Sequence, residues 1–212
     1  HRGAPHGAGV SGTALVWFRR DLRLADNPAL ATALADCQSV VPVYVHAPDE
    51  EAPWQPGAAS DTWLHRSLAA LDDALRRLGS RLIVRRGPTL ETLRALAAAT
   101  GATHVYWNRL YEPAVVARDR AVKQALRESG FVAESANAAL LNEPWEVTRD
   151  DGGPYRVFTP FWKACQRAGI DRSCVPAPTA LPPVPGELAS LAVTDLGLGP
   201  SIHWDRGFWQ VW

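Results

Sequence analysis

Five short β-type runs alternating with four helical stretches, punctuated by glycine or proline, constrain this chain more than any other feature. The runs close at Phe18, His46, Arg86, Asn108 and Ser135, and the first, through Val16, Trp17 and Phe18, is continuously apolar rather than alternating. That is the pattern of strands covered by helices on both faces. A βαβ series with right-handed crossovers predicts an α/β fold: a five-stranded, parallel, doubly wound, Rossmann-like sheet of order 3-2-1-4-5. The strongest helical signal carries Leu64, Leu68, Leu71, Leu75 and Leu78 on one stripe, opens at Ser60 and Asp61, and ends at Gly79. Pro42 is expected early in the second strand, where a missing N–H is tolerated.

The boundaries follow from shifts in composition. Residues 1–12, rich in Gly, Ala and His, are expected to be a disordered lead-in, and residues 13–170 the α/β domain. Within it, residues 152–163 are aromatic and turn-rich, with a short helix expected to follow. Residues 171–212 read as an irregular, Pro-rich linker whose Trp204, Phe208, Trp209 and Trp212 lie against this domain or another. The chain of 212 residues contains no methionine, so it is expected to be a processed or excised piece.

Charge and cysteine usage exclude several classes. Lys+Arg and Asp+Glu both total 22, leaving no whole-chain footprint for a polyanion such as DNA. Three cysteines, none in a CxxC pair, argue against a disulfide framework and against zinc. No apolar run approaches membrane-helix length, and a soluble, cytoplasmic monomer is expected. There is no GxGxxG after the first run and no GxxxxGK[ST] loop, which disfavours an ordinary dinucleotide or NTP enzyme.

In the predicted order the winding reverses between strands one and four, and ligands of open α/β sheets sit at the carboxyl ends beside such a reversal. Those ends carry Trp17 to Arg20 on one side and Trp107-Asn-Arg-Leu-Tyr-Glu112 on the other. Aromatic faces, an amide and a carboxylate suit a planar heteroaromatic ring with N–H donors better than a phosphate. The candidate cofactor-binding residues are Trp17, Arg20, Asn108 and Glu112, with Tyr44 and His46 at the end of the second run. No catalytic residue and no metal ligand is expected. The bland alternative makes Trp107 and Tyr111 core or rim aromatics and Glu112 the cap of the next helix.

Trp17-Phe-Arg-Arg-Asp-Leu-Arg23 with Asp26-Asn-Pro28 resembles the opening of the DNA photolyase and cryptochrome family. Trp107-Asn108, Glu112-Pro113, Arg118-Asp-Arg120, Pro154-Tyr155 and Pro160-Phe-Trp-Lys163 are similar to its landmarks in family order. The resemblance implies the antenna domain of a deoxyribodipyrimidine photolyase that repairs cyclobutane pyrimidine dimers, or of a cryptochrome. In either case it implies a light-harvesting pigment here and FAD in a separate helical domain, which is this domain's partner and the part that meets damaged DNA. That domain is absent from these residues, so the chain is expected to be inactive alone. In relatives it also contributes to the antenna pocket's wall. Deazaflavin-binding members place an aspartate two residues before the carboxylate and an arginine near position 60; this chain has Leu110 and Ser60. Methenyltetrahydrofolate is therefore the preferred antenna over a deazaflavin or FMN. A redox role for the nine tryptophans is rejected, because the family's electron-transfer chain belongs to the helical domain. The rival outside the family is a free-standing nucleotide-binding regulatory domain of the same topology.

Overall fold

The structure, a computed structural model, describes residues 11–169, 173–200, 202 and 207. Its five strands are β1 (Thr13–Phe18), β2 (Ser39–His46), β3 (Ile83–Arg86), β4 (Ala102–Asn108) and β5 (Val132–Ala136). All pair in parallel in the order β3-β2-β1-β4-β5, as predicted. The helices are α1 (Pro28–Asp36), α2 (Ala58–Arg77), α3 (Thr89–Thr100), α4 (Pro113–Glu128) and α5 (Phe158–Ala168).

The continuous apolar runs exist because both sheet faces are covered. Ala14, Val16 and Phe18 of β1 pack with Leu30 and Ala33 of α1 and Leu68, Leu71 and Leu75 of α2. Leu15 and Trp17 turn the other way, toward Leu93 and Leu96 of α3 and Val122 and Leu126 of α4. Asn27 starts α1 by accepting from the Leu30 N–H at 3.1 Å, with Pro28 in the first turn. Gly101 ends α3 at φ 67°, a left-handed cap.

Three local expectations change. Pro42 lies in mid-strand, paired with Val16, where β2 has one neighbour because pairing with β3 begins at Val43. That one-sided position tolerates a residue without an N–H. Helix α2 begins at Ala58, after Gly57, rather than at Ser60. Helix α5 begins at Phe158, inside the aromatic run, because Pro160 falls in its first turn, where no N–H is needed.

The Pro-rich segment is not a free tether. The Leu181 N–H donates to the Leu78 carbonyl at 2.8 Å, the Leu191 N–H to Val84 at 3.0 Å, and the Ser190 hydroxyl accepts from the Val84 N–H at 2.9 Å. Residues 188–196 thus run beside β3 and cover an edge strand that would otherwise present open donors and acceptors. Leu181, Leu196 and Leu198 complete the core over α1 and α2. Leu196→Ala is expected to cost about 2–3 kcal/mol in urea unfolding; no change would show that this strap adds nothing to the fold. Of the lead-in expected over residues 1–12, residues 1–10 lie outside the described residues, as do Trp204, Phe208, Trp209 and Trp212, while the Gly12 carbonyl accepts from the Ser39 N–H at 3.2 Å. No described helix is long and apolar enough to cross a membrane.

Candidate functional site

A cleft of about 1220 Å³ opens over the carboxyl ends of β1 and β2. Trp17, Tyr44, Val45 and His46 are its strand contributions, and Arg19 to Arg23 of the β1–α1 loop form one wall. The opposite wall is the 3-10 turn Pro48–Glu51 with Trp54, then Ser60, Asp61, Trp63 and Ser67 of α2. Leu196, Gly197 and Leu198 of the strap close one side, while Leu110 and Arg118 reach in from the β4 side.

Four of the six candidate residues, Trp17, Arg20, Tyr44 and His46, line this cleft; Asn108 and Glu112 do not. Asn108 is 2% exposed. Its side-chain amide donates to Asp21 at 2.5 Å and to Asn27 at 2.8 Å, and its carbonyl oxygen accepts from the Ala29 N–H at 3.1 Å. Every polar atom of that side chain is used in tying the β1 loop and α1 to β4, so it is a buried strut and not a ligand contact. Glu112 is half-exposed and bonds the Arg20 guanidinium outside the lining. Partial burial would raise its pKa, but bonds from its own backbone N–H and the Arg20 charge outweigh this and hold it below the usual carboxylate value. Trp107 is core, tilted at 57° against Trp17 with centroids 5.9 Å apart, and Tyr111 bonds Glu143 at 3.0 Å.

The notch between β1 and β4 is therefore filled by the protein itself. Arg19, 7% exposed, donates to Asp119 of α4 at 2.5 Å and to the Asn108 backbone carbonyl. The ligand-sized opening lies one strand over, above β1 and β2. Sequence reasoning missed Trp54 and Trp63, which are 83% and 59% exposed. The available signal was a tryptophan in a Pro-rich loop and another off the α2 leucine stripe.

Trp17 Nε1 and Arg19 Nε are buried with no hydrogen-bond partner among the described residues, and both residues border the cleft. Neither atom is open to the cleft, so the polar group that a heteroaromatic ligand with carbonyl or ring-nitrogen acceptors would meet is the exposed Arg20 guanidinium. The aromatic faces and the carboxylates of Glu51 and Asp61 fit the same kind of group. His46 stacks on Tyr44, centroids 6.5 Å apart. Burial and the Arg86 charge lower its pKa, against the opposing pull of Asp61 and Glu51. The unfolded chain thus binds more protons than the folded one, so stability falls as pH drops through and below the ordinary histidine value near 6.5. An NMR titration of the His46 ring is expected to give a midpoint below 6.5, and His46→Gln to flatten the acid loss of stability; a midpoint above it would contradict this burial.

A parallel doubly wound sheet with an aromatic, charge-rimmed cleft over its carboxyl ends defines an α/β domain of the open, doubly wound class. More specifically, the chain belongs to the DNA photolyase family, whose profile matches residues 14–183. It is 45% identical to deoxyribodipyrimidine photo-lyase of Agrobacterium fabrum over 77% of the chain and 33% of that protein. It is 42% identical to Cryptochrome-1 of Arabidopsis thaliana over 85% of the chain and 26% of that protein. Among solved structures, a class III photolyase from Agrobacterium tumefaciens superposes with TM-score 0.87 at 36% identity, over 99% of the chain and 43% of that chain. A photolyase from Sulfolobus tokodaii, described with two FAD molecules that imply a novel light-harvesting cofactor, gives TM-score 0.70 at 25% identity, over 89% of the chain and 42% of that one. The chain thus spans between a quarter and a little under half of the length of these four proteins.

Proposed function

We propose that this chain is the light-harvesting domain of a DNA photolyase and holds a planar pigment over the ends of β1 and β2. The cleft carries the reading, with aromatic rings, the Arg20 guanidinium and carboxylates together in a photolyase-family fold. Trp17, Tyr44 and His46 would meet the pigment's rings, and Arg20 its polar edge, with Glu112 acting through Arg20. Leu110 and Ser60, the positions that depart from deazaflavin-binding members, both line the cleft. They put neither an acid nor a guanidinium there, which favours methenyltetrahydrofolate over a deazaflavin or FMN. The group's chemistry is light absorption; the chain's residues bind and orient it and exclude water.

The parent's repair of cyclobutane pyrimidine dimers, its FAD and its contact with damaged DNA belong to a helical domain in this reading. Half-exposed and exposed Phe158, Phe161 and Trp162 of α5 offer that domain an apolar face. The 42% identity to a plant cryptochrome supports a second reading, in which the same antenna serves a cytoplasmic signalling receptor. Light-dependent dimer loss by the parent separates the two.

The test is equilibrium binding to the purified monomeric chain of methenyltetrahydrofolate, FMN, a deazaflavin and ATP. Folate retained through gel filtration at about one per chain is expected. Tight ATP binding with no pigment retained would overturn the reading in favour of a nucleotide-binding regulatory domain.

A further inference from the structure

We infer that Arg19 and Arg118 shield Trp17 from giving up an electron to a light-excited ligand in the cleft, an assignment that rests on the pigment reading above. Indole is the most easily oxidised ring among the common side chains, and Trp17 is part of the cleft lining. An excited pigment beside it has a competing exit: one electron passes from the indole to the excited ring and then returns by recombination. No bond forms or breaks, Trp17 is transiently a radical cation, and the excitation is lost as heat.

The surroundings of Trp17 oppose that step. The Arg19 guanidinium lies 4.5 Å from the ring centroid and that of Arg118 lies 5.4 Å from it. Positive charge over a π-face attracts the neutral ring and repels the radical cation, and the field is strong where water is excluded. Trp107, 5.9 Å from Trp17, could share the positive hole, but Lys123 Nζ sits 5.8 Å from its centroid and extends the same field. Asp119 holds the cations in place, bonding Arg19 at 2.5 Å and Arg118 at 3.0 Å, and Arg118 also approaches Glu50 at 3.8 Å. Two arginines are thus committed to one indole beside the cleft. Simple packing of the tryptophan does not call for a second cation.

The experiment measures the fluorescence lifetime of methenyltetrahydrofolate, and separately of FMN, bound to the full chain. Arg118→Gln is expected to shorten the lifetime about twofold or more, because one charge near the ring is lost. Arg118→Lys is expected to preserve it, and Arg118→Gln with Trp17→Phe to restore it, since the electron source is gone. An unchanged lifetime in Arg118→Gln with pigment bound would overturn the shielding role. So would a shortened lifetime that Trp17→Phe does not restore, or loss of binding in Arg118→Gln, which would make Arg118 a binding contact instead. Failure of the unaltered chain to bind either probe would count against the pigment reading itself.

Discussion

Asp119→Ala is expected to destabilise the chain by about 3–5 kcal/mol, the largest effect of any single substitution considered, because it strands a buried charge. Arg19 is 7% exposed and burial already lowers its pKa, with the Asp119 charge as the main opposing influence. Guanidinium does not lose its proton at accessible pH, so without Asp119 the charge stays in the interior with no carboxylate bonded to it, only the Asn108 carbonyl and the Trp17 ring. At this chain length the loss corresponds to about 6–20 °C in Tm. Asp119→Asn keeps an acceptor and should recover part of the stability. Urea unfolding of the two variants measures both quantities, and a loss in Asp119→Ala below about 1 kcal/mol, the value of a surface pair, would show that water already reaches Arg19.

Asn108→Leu is expected to cost about 3 kcal/mol, since the isosteric side chain fills the space but leaves polar groups unmet. The Ala29 N–H, one of the orphan donors at the start of α1, loses its acceptor, and Asp21 Oδ2 loses the Asn108 donor. Loosening should concentrate at the β1 loop and the first turn of α1. Hydrogen exchange at Ala29 is therefore expected to quicken more than at Leu68 in the core. Equal protection at both sites would mean the strut is dispensable.

The sheet was legible because its grammar is local. Continuous runs such as Leu15-Val16-Trp17-Phe18, the α2 leucine stripe and the Asn27-Pro28 start each report on neighbours in sequence, and together they dictate order 3-2-1-4-5. The cleft was half legible for the opposite reason. Whether Asn108 faces a ligand or the interior is decided by Asp21, Asn27 and Ala29, about eighty residues earlier. The opening sits above β2 because Arg19 and Asp119, 100 residues apart, fill the neighbouring notch. One wall comes from Leu196 to Leu198, inside a segment whose prolines mimic a linker. Its leucines, spaced without helical or strand period, carry no local sign that they are core.

Filling the cleft tests the central claim most directly. Ala59 is exposed at the α2 end of the lining, and Ala59→Trp places a large ring in the opening while leaving the sheet core untouched. The account predicts that this variant keeps its Tm and loses methenyltetrahydrofolate binding at least about tenfold, equivalent to about 1.4 kcal/mol. Binding of equal strength to the filled and unfilled chains would place the pigment elsewhere and contradict the account.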